Sequence, residues 1–349
     1  MSISRATKQF VAIPLAMMLL LCGSSWAVII NTATGVENTT SPANTPAYSD
    51  FPYWNNVGVC GNGTGVYLGN GWVLTAAHVS YSSITLNGTV YNALPNSEIQ
   101  IGQSTGSPAD MQIFQLAQNP GLPSIMIASN TPRYSNTLLM MGAGDNRMPN
   151  LATSGSLTGY YWDASGRTMR WGTNNFVGTV SVQDGFENTV TQSFYTRFNQ
   201  NGGANECQAA DHDSGGAVFY KTGGQWVLAG MMFAIDSEGA NIGMADYTDG
   251  ATYCADLSSY FPYLKPIPGD ANDDGLVDVA DYDIWAANVG ATNATWTMGD
   301  FNGDGLVDVA DYDIWAANVG TTSGASTTPE PATIALLAIG AASLLRRRK

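Results

Sequence analysis

Apolar residues are spaced in three ways along this chain, and each spacing predicts a different element. Between residues 28 and 265 they fall in short runs separated by Gly and Asn, at 65–68, 72–74, 113–116, 217–220 and 226–232. Many short strands with no sustained helical period predict an all-β fold, a barrel or a sandwich, with one helix expected near the end over 255–264. Farther on, Tyr282, Trp285, Ala286 and Val289 recur at i, i+3, i+4 and i+7, the stripe of an amphipathic helix, and the stripe returns 30 residues later. Two runs differ in being continuous: 10–21 and 332–345 hold no charged residue.

The continuous runs predict processing signals instead of core. Arg5 and Lys8 precede the first, and Ser25-Trp26-Ala27 follows it as a small-x-small cleavage site. Residues 1–27 therefore read as a secretory signal peptide, with the mature chain beginning near Val28. A lipoprotein reading through Cys22 is disfavoured by the bulky Leu21 before it. The second run follows a Ser/Thr-rich linker at 322–328 and Pro329-Glu330-Pro331, and it ends in Arg346-Arg347-Arg348-Lys349. Its 14 residues fall short of the ~20 that span a bilayer as a helix. In this order the parts of 329–349 resemble the PEP-CTERM sorting signal. The resemblance implies transient membrane retention, removal by an exosortase-type enzyme, with signal peptidase cutting the other end, and delivery to the cell surface or outside. A plain tail anchor is the alternative; the basic cluster stays cytoplasmic in both.

Charge sharpens the picture of the region between. The net charge is -15, and from Gly269 to Gly320 there are eleven Asp and no Glu, Lys or Arg. Such a segment attracts cations and has no basic side chain for phosphates, which argues against a nucleic-acid partner. It is also a repeat: 22 residues from Gly269 and 22 from Gly299 differ at two positions. Oxygen-bearing side chains occupy loop positions 1, 3, 5, 9 and 12, namely Asp270, Asn272, Asp274, Asp278 and Asp281, then Asp300, Asn302, Asp304, Asp308 and Asp311. Gly275 and Gly305 stand at the sharp turn of position 6, and Leu276 and Leu306 at position 7 can offer a carbonyl. This is the ligand order of an EF-hand loop, hard oxygens suited to Ca2+, with two ions expected; an acidic solvated loop is the bland alternative.

Position 12 is Asp instead of Glu, and Pro266-Ile267-Pro268 forbids an entering helix. Loop plus exiting helix, duplicated over 266–321, resembles a type I dockerin. That resemblance implies a cohesin-like partner contacted through loop positions 10 and 11, here Val279-Ala280 and Val309-Ala310. The two apolar helix faces are expected to pack on each other in a small core held by metal.

Nucleophilic chemistry is carried by three segments within 28–265. A Ser hydroxyl is a weak nucleophile and needs a base of near-neutral pKa, itself oriented by a carboxylate. The chain has two histidines, His78 and His212. His212 lies two residues before Ser214 on one turn, poorly placed to face it, which leaves His78 as the base. Asp110 opens an alternating strand; Asp145, Asp163 and Asp184 are other candidates for the orienting acid, but none precedes a comparable apolar strand. Ser214 stands in Asp213-Ser214-Gly215-Gly216.

Taken in the order His, Asp, Ser, the Thr75-Ala76-Ala77-His78 turn, the strand from Asp110 and the Asp-Ser-Gly-Gly turn resemble the chymotrypsin/trypsin family of serine proteases over 28–265. The resemblance implies a two-barrel fold with a small α-helical module behind it, and assigns His78 as general base then acid, Asp110 as orienter and Ser214 as nucleophile. Backbone N–H groups of His212 and Ser214 become the oxyanion hole. A substrate-pairing strand is implied at 228–233, and a closing helix from Leu257-Ser258-Ser259-Tyr260. Six residues before Ser214, Gln208 falls at the pocket floor; an insertion would put Ala209, Ala210 or Asp211 there, with Phe233 also at the pocket.

Several positions depart from the family pattern. His212 stands where the family has Gly, unfavourable if that residue needs φ > 0. Val79 replaces the cysteine that follows the histidine, so Cys60 lacks its usual partner. Cys207 lies seven residues before Ser214 instead of four. Without Cys22 three cysteines remain, and the resemblance favours a Cys207–Cys254 bridge. Asp213 matches the acid that pairs with a freed amine, yet no Arg-Ile-Val-Gly-Gly activation site precedes His78. Signal cleavage would itself free Val28-Ile29 to supply that ammonium. Two functions of different class follow: an exported serine endopeptidase acting on protein or peptide, or a surface-displayed scaffold that keeps the barrel without catalysis, for which His212 is the main reason.

Overall fold

A computed structural model describes residues 28–32, 37–102, 107–148, 150–154, 157–184, 189–235, 244–247, 250–264, 268–272, 276–292, 294, 296–302 and 305–321. The signal peptide, the linker and sorting signal, and the loop residues Asp274 and Asp304 lie outside the described residues.

A short strand β1 (Ile29–Ile30) is the first element among the described residues. It is followed by β2 (Val57–Cys60), β3 (Gly63–Gly69), β4 (Trp72–Thr75), β5 (Ser83–Leu86), β6 (Thr89–Asn92), β7 (Ile99–Gly102) and β8 (Pro108–Gln115), an antiparallel sheet in the order β6-β5-β2-β3-β4-β8-β7. Next come β9 (Thr137–Gly142), β10 (Asp145–Arg147), β11 (Ala152–Ser154), β12 (Leu157–Arg167), β13 (Arg170–Asn175), β14 (Gly178–Asp184), β15 (Thr189–Arg197) and β16 (Cys207–Gln208). The last strands are β17 (Ala217–Thr222), β18 (Gln225–Ile235), β19 (Met244–Asp246) and β20 (Ala251–Asp256). A second seven-stranded sheet runs β13-β9-β17-β18-β20-β15-β14, a smaller one gathers β10, β11 and β19 around β12, and β1 pairs with β16.

Local sequence accounts for much of this. Asn70-Gly71 between β3 and β4 and Asn87-Gly88 between β5 and β6 all have positive φ, +50 and +85, then +47 and +77. Two left-handed residues in succession make a hairpin turn whose twist matches that of the strands, and Asn-Gly tolerates it best. β5 alternates between half-buried and buried positions, the period of a strand with one covered face, and β15 does so on either side of the adjacent buried pair Ser193 and Phe194. β4 is buried at every residue. Its outer side is covered by the C-terminal module, where Trp72 meets Trp296 at 5.6 Å between ring centroids.

The expected helix over 255–264 does not form. β20 continues to Asp256, which caps the amide of Ser258 at 3.1 Å, and two 3-10 turns follow at Leu257–Ser259 and Phe261–Tyr263. Pro262 has no N–H for a continuing α-helix. Buried Tyr260, whose hydroxyl accepts from the Gln192 amide at 2.7 Å, pulls the segment back onto β15.

The C-terminal module holds two helices, α1 (Val279–Asn288) and α2 (Val309–Asn318), each opened by a capping box, Asp278 with Asp281 and Asp308 with Asp311. Tyr282 packs on Trp315 at 5.1 Å and Trp285 on Tyr312 at 5.2 Å. Each indole N–H crosses to the other copy's loop, Trp285 to the Asp308 carbonyl and Trp315 to that of Asp278, both at 2.9 Å. The apolar stripe is shorter than its spacing suggests: Ala286 and Val289 are exposed. Val289 is the C-cap, beyond the last helical turn, and Ile284 packs inward instead. No helix among the described residues is long and apolar enough to cross a membrane.

The expected Cys207–Cys254 bridge is absent: Cys60, Cys207 and Cys254 are buried free thiols. β16 holds Cys207 against Met140, with the two sulfurs 3.7 Å apart, and Cys254 lies on β20 beside Met232 and Phe194. Burial pushes the Cys60 thiol up to about 12 and raises the other two as well. A thiolate-specific reagent is therefore expected to leave the native mature chain unmodified and to titrate three thiols in denaturant. A single thiol in denaturant would reinstate a bridge.

Candidate active site

β4 ends at Thr75, and Ala76 to Val79 turn back on themselves, closed by the Val79 amide donating to the Ala76 carbonyl at 3.0 Å. Gln112, buried on β8, donates its side-chain amide to the carbonyls of Ala76 (3.2 Å) and Val79 (2.7 Å) and clamps this turn. Asp110 precedes it by two residues and so shares its face of the strand. The Asp110 carboxylate, buried at 2% exposure, accepts from the His78 backbone amide at 3.2 Å and bonds His78 Nδ1 at 2.7 Å. Its own amide donates to Thr191 Oγ1 on β15 at 2.9 Å, a tie between the two large sheets. A carboxylate bound to Nδ1 directs proton uptake and release to the other ring nitrogen, Nε2.

Ser214 sits on a turn between β16 and β17. Asp213 N–H donates to the Ala210 carbonyl (3.1 Å), Gly216 N–H to that of Asp213 (2.8 Å), and Thr64 N–H on β3 to that of Ser214 (2.8 Å). Gly215 has φ +90°, and a Cβ there would lie 1.8 Å from the Thr64 carbonyl oxygen, so the close approach of β3 demands glycine. The N–H groups of His212 and Ser214 donate to no acceptor among the described residues. Ser214 Oγ lies 3.5 Å from the Phe233 carbonyl, at the outer edge of hydrogen bonding.

His78, His212 and Ser214 line one cavity of about 290 Å³, with Asp211 and Phe233 also on its walls. Gln208 is not among the lining residues. It is 1% exposed on β16 opposite Ile29, and pairing with β1 draws it away from the cavity; Ala209 and Ala210 take the wall instead.

His212 has φ +70°. Its Nδ1 is 2.7 Å from Asp145 Oδ1, and its carbonyl accepts from Thr64 Oγ1 at 3.0 Å. Burial raises the Asp145 pKa, opposed by the hydrogen bond from His212. Asp213 is fully buried and accepts from the amides of Gly144 (2.8 Å), Ala210 (2.9 Å) and Val28. Burial pushes it up to about 7 even so. Arg147 donates to the carbonyls of Ile30 (2.8 Å) and Thr32 (2.9 Å) while stacking 3.8 Å over the Tyr160 ring, which holds β1 in place.

In the C-terminal module the position-12 carboxylates organise their loops. Asp281 accepts from the amides of Ala271 (2.8 Å), Asn272 (3.2 Å) and Asp278 (2.8 Å), and Asp311 repeats this with Phe301, Asn302 and Asp308. Asp278 and Asp308 cap the helices through Oδ1. Among the described residues no three His, Cys, Asp or Glu side chains converge on one metal position.

Thr64, Gln112, Asp145 and Arg147 shape these sites without having been singled out for such roles from sequence. Gln112 carried one usable signal, its i+2 spacing from Asp110 on a strand; the others act across long sequence separations.

Residues 42–254 match the trypsin family, and residues 327–349 match the PEP-CTERM protein-sorting motif. No curated protein matches the chain. Among solved structures, the NS6 protease of murine norovirus 1 is similar at 15% identity and a TM-score of 0.36, over 58% of this chain and 90% of that one. The active form of the Rv3671c protease from M. tuberculosis is similar at 13% identity and a TM-score of 0.41, over 74% and 94%. The family match spans more than half of the chain, which therefore belongs to the trypsin family, a peptidase domain of mostly β, chymotrypsin-like fold carrying a motif for sorting to the cell envelope.

Proposed function

We propose that this protein is an exported serine endopeptidase in which Ser214 is the nucleophile, His78 the general base and then acid, and Asp110 the group that orients His78. One observation carries this reading: a serine whose own backbone N–H, like that of His212, donates to no acceptor among the described residues shares a cavity with an imidazole bonded to a buried carboxylate. Ser214 Oγ leaves its weak contact with Phe233, attacks the scissile carbonyl carbon, and passes its proton to His78 Nε2. The two N–H groups take up the charge on the carbonyl oxygen. His78 then hands the proton to the departing amine, and water activated by the same imidazole releases the acyl group. The scaffold alternative rested on His212 in place of glycine. At φ +70° that residue holds the backbone a glycine would, so its amide remains usable. A fluorophosphonate reagent is expected to label the folded protein and not Ser214→Ala, with peptide turnover in the variant down about 10⁴-fold or more. Folded parent protein that takes no label would favour the scaffold.

Signal cleavage is proposed to complete the site. Val28 already donates its amide to Asp213, so cutting before it would place an ammonium on the carboxylate with no rearrangement. In the uncleaved chain Asp213 titrates near 7 when folded against 3.8 ordinarily, so the folded state holds a proton that the unfolded state releases, and stability falls as pH rises between those values. The freed ammonium lowers the folded pKa and removes that loss. The cleaved chain is expected to melt above the uncleaved one at neutral pH, with the gap closing as pH falls toward 4. An added residue ahead of Val28 should cut activity; full activity would refute this mode of activation.

The acidic repeat is proposed to bind two calcium ions through Asp270, Asn272, Asp274, the Leu276 carbonyl, Asp278 and Asp281, and through Asp300, Asn302, Asp304, the Leu306 carbonyl, Asp308 and Asp311. The donor set fits: Asp270, Asp281, Asp300 and Asp311 are oxygen ligands buried at 1% exposure or less, in a stretch that contains no Lys or Arg. Val279 and Val309, 66% and 68% exposed, offer a cohesin-like partner an apolar surface duplicated across the repeat. Calorimetry should show a chelator lowering the melting temperature and calcium restoring it; superimposable melts would exclude a structural role for the ion.

A further inference from the structure

The turn that presents the two N–H groups is built around a histidine in the left-handed region, where a residue with a Cβ is disfavoured. Something outside the turn must hold it there. The donor in question is the N–H of the peptide joining Asp211 to His212, and the carbonyl of that same peptide belongs to Asp211. In a trans peptide these point in opposite directions. Asp145 grips this unit at two points. Its backbone amide donates to the Asp211 carbonyl at 2.8 Å, and its carboxylate, with the side chain 5% exposed, bonds His212 Nδ1 at 2.7 Å. The first contact fixes the carbonyl toward the Asp145 amide and so directs the N–H of the same peptide the opposite way. The second ties down the ring, and with it the rotation about the N–Cα bond of His212.

The remaining neighbours leave this task to Asp145. Thr64 Oγ1 fixes the next peptide, through the His212 carbonyl at 3.0 Å. Asp213 is occupied with Gly144, Ala210 and Val28. Asp145 itself is anchored because β10 is paired to β12, with a register irregularity between Asp145 and Asn146 where the strand leaves its regular ladder.

Resting on the assignment of Ser214 as nucleophile, we propose that Asp145 is a positioning residue that substitutes for a missing glycine: its carboxylate, through the His212 ring, holds the Asp211–His212 peptide with its N–H toward the oxyanion. The role falls on the developing charge and not on the bound substrate, so it belongs to kcat more than to KM.

The test is a double-mutant cycle on the full mature chain, with kcat and KM measured on a peptide ester and the rate of fluorophosphonate labelling followed in parallel. Asp145→Ala should lower kcat and the labelling rate by about 10- to 100-fold with KM changed little, the range expected for an impaired oxyanion donor. Asp145→Asn, which can still bond the ring, should recover part of the loss. In the His212→Gly background, whatever that change does alone, adding Asp145→Ala should have less than about a threefold effect, because glycine adopts the conformation unaided. An equal loss in both backgrounds, or kcat unaffected by Asp145→Ala, overturns the proposal. If Asp145→Ala fails to fold, the Asp145→Asn variant and the two glycine-background proteins decide it by the same criterion. A parent protein with no peptidase activity would instead sink the reading of Ser214, separating the two outcomes.

Discussion

His78 and Asp110 stand on one sheet and Ser214 on a turn belonging to the other, so the site depends on whatever fastens the two. That fastening is concentrated at Thr64, a fully buried residue of β3. Its amide donates to the Ser214 carbonyl, its carbonyl accepts from Thr75 Oγ1 just ahead of the His78 turn, and its hydroxyl donates to the His212 carbonyl while accepting from the Ala143 amide. One residue thus registers the Ser214 turn, the His78 turn and the strand end that leads to Asp145. The fit is tight enough to dictate sequence in return, since only glycine can follow Ser214 against the Thr64 carbonyl.

Around this joint the molecule collects charges that water cannot reach. Asp110, Asp145 and Asp213 are all nearly inaccessible, and each is met by hydrogen bonds: Asp110 by His78, Asp145 by His212, and Asp213 by three backbone amides. Buried carboxylates without full counter-charge are unfavourable, and that unfavourable term is what makes them responsive to an added cation. Asp213 is the clearest case, since it lies between His212 and Ser214, which both line the cavity, and accepts from the Val28 amide.

The C-terminal module stays attached by a different force. Trp296 packs on Trp72 and on Phe301, and Ile284, Trp285, Ile314 and Trp315 join the same apolar cluster as the first sheet. With about fifty residues the module buries little by itself, so contact with β4 adds apolar area that the repeat alone lacks.

Short-range chemistry was legible in the sequence. The strands at 65–68, 72–74, 113–116, 217–220 and 226–232 and the exiting helices are set by periodicity and by turn residues a few positions apart, and the tail motif is contiguous. His78, Asp110 and Ser214 could be named because each sits in a local pattern that its own turn or strand requires. Tertiary structure decided the rest, because those contacts join residues far apart in the chain. Asp145 reaches His212 across 67 positions and Thr64 reaches it across 148, while Gln112 clamps a turn 33 to 36 residues upstream. The same holds where expectation and structure part. Pairing of β16 with β1 moved Gln208 off the cavity, packing of Tyr260 onto β15 replaced a helix with two short turns, and core positions taken by Cys207 and Cys254 left them as thiols. Local preference is a property of a few neighbouring residues, whereas strand register and burial are settled by the summed packing of the whole chain.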